Sequence, residues 1–164
     1  MFALADDCAL NRSFDGGGIM FVKYEEEHAR TIIRDNLRGE ESWVNDNDLE
    51  GMLKYYASSI AKTLLIEGAP VACAGITIEQ WGVANAWALF STRFHNHKVK
   101  VYREIKRDLG RVIKENNLVR VQCFVDPRYQ NSIDFIECLD FQCEGLMRKA
   151  GPNGIDYLMY AKVT

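Results

Sequence analysis

The spacing of apolar residues changes several times along the chain, and each change predicts a new element. Short apolar runs indicate buried strands, whereas apolar residues three and four apart indicate one face of a helix. The predicted strands occupy residues 19–22, 61–67, 71–79, 84–90, 118–125, 141–147 and 157–162. The predicted helices occupy residues 25–37, 98–116 and 130–139, with a further helix capped by Asn45 or Asp46 and ending near Tyr56. This order predicts a single-domain α/β (α+β) protein.

The segment from residue 84 to residue 125 predicts the arrangement at the centre of the sheet. Its helix carries one apolar stripe, formed by Val99, Tyr102, Ile105, Leu109, Val112 and Ile113. A strand, a long helix and a strand in that order require a parallel pair joined by a right-handed crossover. We therefore expect residues 84–90 and 118–125 to be adjacent parallel strands in a mixed, mostly antiparallel sheet.

Glycine-rich segments predict where the chain turns. Gly16, Gly17 and Gly18 follow one another, which favours a flexible or peripheral segment over residues 1–18. The Lys-Ser/Thr pair of a phosphate-binding loop does not follow them. Gly68-Ala69-Pro70 predicts the turn of an antiparallel hairpin.

Charge and composition exclude several classes of function. The formal net charge is −3, so nucleic acid and anionic membranes are not expected partners. No apolar run approaches the roughly 20 residues needed to span a bilayer, and the first residues lack the bases of a secretory signal. The five cysteines lack zinc-knuckle or redox-motif spacing, which predicts reduced, mostly buried thiols and a cytoplasmic protein.

Several segments of the second half resemble a known protein family. They are WALFS at 87–91, Arg93, His97, VQ at 121–122, DFIECLDF at 134–141, EGLMR at 144–148, GPNGIDY at 151–157 and YA at 160–161. Together they resemble the GCN5-related N-acetyltransferases (GNAT), in particular a divergent branch often encoded in phage and prophage gene clusters. The resemblance covers roughly residues 60 to 163.

This resemblance implies a GNAT fold with helices on both faces of the sheet and a central parallel pair that splays at the cofactor site. It also implies transfer of an acyl group, usually acetyl, from coenzyme A to an amine. The first parallel strand would pair with the pantetheine, and the following helix would meet the pyrophosphate with its N-terminus. The implied cofactor-binding residues are Leu89, Phe90, Ser91, Arg93, His97, Lys98, Lys100 and Arg103.

The start of that helix supports an anion site on physical grounds alone. A helix N-terminus carries unpaired N–H groups and a partial positive charge, which acids normally complement. This helix instead begins with Lys98, Lys100 and Arg103, which indicates an anion supplied from outside the chain. The alternative is a solvated basic face that Glu104 and Asp108 partly compensate.

The sequence also departs from the family's pattern. Residues 93–98 lack the glycines that let a backbone approach a pyrophosphate. Ile136 stands where a tyrosine often protonates the leaving thiolate, and Asp140 replaces a common glycine. These departures favour a second hypothesis, a catalytically degenerate phage protein that acts as a virion-associated or host-protein-binding module.

Acyl transfer to an amine needs a base, donors for the oxyanion and an acid for the departing sulfur. The candidates are Glu79 as base, Ser91 as donor to the oxyanion or thiolate, and Tyr129 as acid. Glu79 has the alternative of being a solvated strand end. His95 and His97 lack a third ligand for a metal, and Cys138 is favoured as a structural thiol rather than a nucleophile.

The prediction from sequence is therefore an acyl-CoA-dependent N-acyltransferase that uses direct transfer. Its cofactor would be acetyl-CoA, and its acceptor an amine on a small molecule, a protein lysine or a protein N-terminus. A homodimer is compatible with this hypothesis, and no metal is expected.

Overall fold

A computed structural model describes residues 12–14, 18–36, 46–93, 98–151 and 154–164. One sheet contains eight strands in the order β1-β2-β3-β4-β5-β6-β8-β7. The strands are β1 (Arg12–Phe14), β2 (Ile19–Lys23), β3 (Ile60–Ile66), β4 (Ala69–Ile78), β5 (Val83–Phe90), β6 (Arg120–Val125), β7 (Gln142–Met147) and β8 (Tyr157–Val163). The helices are α1 (Glu26–Thr31), α2 (Asp46–Ala57), α3 (Lys98–Glu115) and α4 (Gln130–Cys138). The mixed α/β fold class predicted from the sequence is confirmed.

The chain divides into two compact units, one of residues 1–75 and 88–94, the other of residues 76–87 and 95–164. In the first unit β2 lies antiparallel to both β1 and β3. The Arg30 guanidinium joins α1 to α2 through Glu50 at 2.8 Å, and it lowers the pKa of that carboxyl. Ile32, Leu53, Leu64 and Val71 are fully buried in this unit.

Three features of the first unit differ from the sequence prediction. Residues 12–14, within the segment expected to be flexible or peripheral, form the edge strand β1, and no strand was predicted there. The predicted helix over 25–37 is α-helical only to Thr31 and continues as a π-helix over Ile32–Asn36. The hairpin turn is at Glu67 and Gly68, not at 68–70, because both residues take the positive φ (52° and 79°) that a two-residue type I′ turn requires.

The second unit confirms the predicted parallel pair. Residues Val83, Ala84 and Asn85 of β5 pair in parallel with Arg120, Val121 and Gln122 of β6. The α3 helix connects the two strands and contributes Leu109, Val112 and Ile113 to the core. From α4 and the following turn, Ile136, Leu139 and Phe141 enter the same core.

The C-terminal hairpin is only partly packed as predicted. The sequence predicts that Phe141, Leu146 and Tyr157 contribute to the packing of this hairpin. Phe141 is buried and Tyr157 is half-buried, but Leu146 is 53% exposed. The register between β7 and β8 shifts between Cys143 and Gly145, so Glu144 is an extra residue on the edge strand. A bulge of this kind interrupts the alternation of inward and outward side chains from which the packing was predicted.

Asp140 adopts a positive φ of 65°, a conformation that aspartate tolerates better than most residues. Its carboxylate lies 2.8 Å from Lys106 on α3 and 3.1 Å from Lys162 on β8. Asp140 thereby holds together the turn after α4, the helix α3 and the strand β8. The two ammonium groups lower the pKa of Asp140.

We expect Asp140→Asn to lower the melting temperature at neutral pH, because asparagine keeps the backbone conformation but loses the charge. A carboxyl whose folded pKa is lowered stabilises the protein above its unfolded pKa of about 4, and this stability is lost as the pH falls through the folded value. The difference between wild type and variant will therefore shrink in thermal unfolding curves recorded at increasingly acidic pH. Asp134→Asn, which removes a carboxylate bonded to the neutral Gln130, is the control and will show little difference.

Candidate functional site

The parallel ladder between β5 and β6 is short. It ends at Asn85 and Gln122, although β6 continues to Val125 and remains paired with β8 over Cys123, Phe124 and Val125. The parallel ladder therefore stops after its third residue pair, and we call the end of this ladder, closed at Asn85 and Gln122, the fork. Backbone beyond the end of a ladder offers N–H and C=O groups to a bound molecule.

The first turn of α3 is basic. It begins at Lys98 and contains no acidic residue. The buried Val101 anchors this turn in the protein, whereas Arg103 is exposed. Free N–H groups at a helix start, together with neighbouring cations, fit an anion such as a phosphate group. The backbone positions of Lys98 and Lys100 are described here, whereas His97 and His95 lie outside the described residues.

A row of hydrogen-bonded side chains crosses the closed end of the fork. Asn85 Nδ2 donates to Glu79 Oε1 at 3.0 Å, and Gln122 Nε2 donates to Asn85 Oδ1 at 3.0 Å. Arg120 Nε in turn donates to Gln122 Oε1 at 2.8 Å. The Arg120 guanidinium also binds Glu144 through both of its terminal nitrogens, one of them at 2.8 Å from Oε1, and lowers the pKa of that carboxyl. We call Arg120, Gln122, Asn85 and Glu79 the polar row.

Glu79 is the one member of the polar row that the sequence analysis assigned a chemical role. Glu79 is exposed beyond the end of β4, as expected for a solvated strand end, and its carboxylate accepts a hydrogen bond from the Asn85 side chain. The roles of Asn85 and Gln122 were missed. The sequence does contain a signal for these two residues, because each is a polar residue inside an apolar strand. Asn85 lies in VANAWALF and Gln122 lies in RVQCFV.

Four predicted site residues lie in the first unit. Leu89 and Phe90 are buried in β5, and Ser91 is completely buried. The Ser91 hydroxyl accepts a hydrogen bond from the Arg93 N–H at 3.2 Å, while the Ser91 N–H donates to Val71 O at 2.9 Å. Ser91 thus fixes the turn after β5, and Arg93 is exposed beside it.

Tyr129 is half-buried directly before α4. The Arg128 guanidinium lies 5.5 Å from the centre of its ring and binds the Asp126 carboxylate at 2.6 Å. Arg128 lowers the pKa of Asp126, and burial together with Asp126 raises the pKa of Tyr157. The carboxyl end of β6 therefore carries two tyrosines in a charged setting.

The thiols are less buried than predicted. Cys73 and Cys123 are buried, and burial raises their pKa values to about 11 and about 12, so both are poor nucleophiles. Cys138 and Cys143 are free but exposed, which corrects the prediction that most thiols are buried. No cluster of three potential metal ligands occurs among the described residues, and no helix there is long and apolar enough to cross a membrane.

Comparisons with known proteins identify the fold. No protein-family model and no curated protein matches the sequence. Among solved structures, a GNAT-family acetyltransferase from Bacillus anthracis is 14% identical, with a TM-score of 0.67 over 89% of this chain and 95% of that one. The ribosomal-protein-S5-alanine acetyltransferase from Vibrio fischeri is 15% identical, with a TM-score of 0.65 over 93% and 97%.

A third similar structure is the microcin C7 self-immunity acetyltransferase in complex with acetyl-CoA and AMP. It is 15% identical to this chain, with a TM-score of 0.68 over 90% of this chain and 93% of that one. At these identities the likeness concerns the fold. This chain has the fold of the GNAT acetyltransferases.

Proposed function

We propose that the protein is an acyl-CoA-dependent N-acyltransferase that transfers an acetyl group from acetyl-CoA to an amine. The observation that carries the proposal is the fork between β5 and β6, whose ladder ends at Asn85 and Gln122. The crossover helix of the same unit begins with a basic turn at Lys98. An extended amide chain would match the fork, and a pyrophosphate would match the basic first turn of the helix.

The residues of the second unit fit coenzyme A in chemical terms. The backbone of the fork would pair with the pantetheine amides, and the N–H groups of the first turn of α3, with Lys98, Lys100 and Arg103, would hold the phosphates. When bound, acetyl-CoA supplies an activated thioester. Leu89, Phe90, Ser91, Arg93 and His97 stay predictions from the sequence for the same cofactor.

Within this proposal Glu79 is the base and Tyr129 the acid. A Glu79 carboxylate oxygen takes a proton from the ammonium form of the acceptor. The Tyr129 hydroxyl gives a proton to the departing sulfur. Ser91 is the proposed hydrogen-bond donor to the oxyanion, because its hydroxyl oxygen accepts the bond from the Arg93 N–H and this leaves the O–H hydrogen to donate.

Two fold neighbours were solved in complex with coenzyme A or its acetyl thioester. One was solved with acetyl-CoA and AMP, and another, a ribosomal L7/L12 alpha-N-protein acetyltransferase, was solved with coenzyme A. By analogy, the acceptor proposed here is a primary amine of a small molecule or of a protein. The resemblance of the second half further suggests a phage-encoded protein acting in the cytoplasm of a bacterial host.

The proposed activity is tested by thiol release from acetyl-CoA in the presence of a panel of amines. The panel contains simple alkylamines, aminoglycosides and peptides with a free lysine or a free N-terminus. We expect amine-dependent release of coenzyme A and a product heavier by one acetyl group in mass spectrometry. Thiol release that no amine accelerates would contradict the transferase function.

Removing two cations from the start of α3 will weaken acetyl-CoA binding at least tenfold, or about 1.4 kcal/mol. The change is Lys98→Ala with Lys100→Ala, measured by calorimetry. Side-chain charge carries the phosphate interaction because residues 93–98 contain no glycine that would let the backbone approach closely. Arg111→Ala with Lys114→Ala removes two cations from the other end of α3 and will leave the affinity unchanged. Equal losses in both double variants would indicate nonspecific attraction.

A second function is favoured by one observation. Ile136, at the position where the resemblance would place a tyrosine acid, is buried in the core with Leu139 and Phe141. A degenerate GNAT fold that serves as a virion-associated or host-protein-binding module needs no acid at this position. Such a module would show neither acetyl-CoA binding nor amine-dependent thiol release.

A further inference from the structure

A tryptophan of the second unit is almost completely exposed to solvent. Trp81 and Gly82 form the turn between β4 and β5, and Trp81 is 89% exposed. Both residues take a positive φ (56° and 76°), a conformation that favours asparagine before glycine in a hairpin turn. A bulky residue is an outlier in this conformation. Trp81 therefore strains the turn, and its ring gains no burial within the chain.

Hydrogen bonds fix this turn against the start of β6. The Val119 N–H donates to Gly82 O at 2.8 Å, and the Arg120 N–H donates to the same oxygen at 3.3 Å. Thr164, directly after β8, joins the same segment, because its N–H donates to Val119 O at 3.2 Å and its hydroxyl to Leu118 O at 2.7 Å. Three separate parts of the chain thus form one preorganised surface.

Two further apolar residues of this surface are exposed. Val119 is 53% exposed and Val163 is 69% exposed. We call Trp81, Val119 and Val163 the apolar patch. Exposed apolar patches of several hundred Å² mark interaction sites on soluble proteins.

The size of the apolar patch fits one side of a protein dimer. A tryptophan offers roughly 150 to 250 Å², so together with the two valines the patch exposes on the order of 400 Å². A standard interface takes roughly 800 Å² from each partner, and a little more than half of that area is apolar. The apolar patch therefore supplies most of the apolar share that one side of such an interface needs.

The segments that form the apolar patch carry no charged side chain. They are residues 80–82, 116–119 and 163–164. Gln80 and Asn117 are exposed amides in these segments, and each has both donors and acceptors. In a two-fold dimer the same surface lies on both sides, so a charge near the axis would face its like. A neutral patch with amides beside it therefore complements a second copy of itself.

We propose that the apolar patch is the interface of a two-fold homodimer, in which it packs on the same patch of a second copy of this chain. Pairing of identical surfaces is the commonest way in which soluble proteins form dimers. Trp81 is the anchor of the interface, since buried tryptophans contribute most to binding. The proposal goes beyond the acyltransferase function and does not depend on it, because the patch contains no residue of the fork or of the first turn of α3.

Sedimentation velocity measures this association over a range of protein concentrations. We expect monomers at low micromolar concentration and a species of twice the chain mass at several hundred micromolar. Trp81→Asn removes the ring and supplies a residue that the turn favours, so the fold is kept. This variant will raise the dimer dissociation constant at least tenfold. Val163→Lys, which brings a charge into the interface, will have the same effect, and circular dichroism checks the fold of both variants.

Leu146→Asn is the matched control. Leu146 is as exposed as Val119, but it pairs with Leu158 at the other end of β8 from Val163. The variant will dimerise like the wild type. Equal losses of association in Leu146→Asn and Trp81→Asn would indicate nonspecific attraction between apolar residues and would overturn the proposal.

A fluorine label reports on the Trp81 ring in the unaltered sequence. 5-Fluorotryptophan is incorporated, and the ¹⁹F signals of Trp81 and Trp87 are assigned by their loss in Trp81→Asn and Trp87→Phe. The difference in chemical shift between H₂O and D₂O measures the exposure of each ring to solvent. We expect this difference to fall for Trp81 as the protein dimerises. Trp87, which lies in β5 outside the apolar patch, will keep its value.

The outcomes separate this proposal from its alternatives. A protein that stays monomeric at every concentration, or that dimerises while the Trp81 ring stays exposed, would overturn the proposal. Association that continues beyond the dimer would overturn it too, because pairing of identical surfaces closes at two copies. A dimer that binds no acetyl-CoA would contradict the acyltransferase function alone. Acetyl-CoA binding by a permanent monomer would contradict this inference alone.

Discussion

Replacing Phe141 with alanine will lower the free energy of unfolding by about 3 to 5 kcal/mol, the usual cost of deleting a buried phenylalanine ring. The Phe141 side chain is 3% exposed and belongs to the core of the second unit with Ile136, Leu139 and Tyr160. The neighbouring main chain is fixed as well, since the Phe141 N–H donates to Ile136 O at 3.3 Å. Urea unfolding followed by circular dichroism measures the change.

Leu146→Ala is the matched control for this substitution. Leu146 is a large apolar residue of the same hairpin, but it is 53% exposed on the bulged edge strand. Its replacement will change the free energy of unfolding by about 0.5 kcal/mol or less, as is usual for surface sites. Equal effects of the two substitutions would mean that the Phe141 ring is not part of the core.

Replacing Glu79 with glutamine will lower kcat/KM for the acceptor amine by roughly 10² to 10⁴, the usual contribution of a general base. The variant keeps the Asn85 contact but cannot take a proton. Calorimetry will give an unchanged affinity for acetyl-CoA.

Glu67→Gln provides the comparison for the Glu79 variant. Glu67 is also an exposed carboxylate at the end of a strand, but it lies in the β3–β4 turn. Its replacement will leave kcat/KM unchanged. If the Glu79 variant kept wild-type activity, or if both variants lost activity equally, Glu79 would be a solvated strand end and not the base.

The sequence predicts the centre of this fold well because its signals there are local. The apolar stripe of α3 repeats every three or four residues, and the strands on either side are short apolar runs. Chain connectivity alone then requires β5 and β6 to be parallel, as they are. Features that depend on tertiary packing were missed, among them the strand β1, the π-helix after α1 and the bulge at Glu144.

The candidate site likewise combines a residue with a local sequence signal and contacts that depend on tertiary packing. Glu79 could be singled out because it is an acid at a strand end. Its connection to Gln122 could not be predicted, because the two side chains are joined only through Asn85. The contact between Asn85 and Gln122 spans 37 positions of sequence and depends on the parallel register of the two strands. A register shifted by one residue would point Gln122 to the opposite face of the sheet.

Titrating the protein with acetyl-CoA in a calorimeter is the most direct test of the acyltransferase function. We predict saturable binding at one site, with desulfo-coenzyme A binding equally well because the sulfur makes no contribution to the phosphate and pantetheine contacts. At a ligand concentration of about 100 times Kd, the folded protein will be stabilised by about 2.7 kcal/mol in parallel unfolding experiments. The absence of both a heat of binding and stabilisation at about 1 mM acetyl-CoA, a concentration that detects binding as weak as about −4 kcal/mol, would contradict the acyltransferase function.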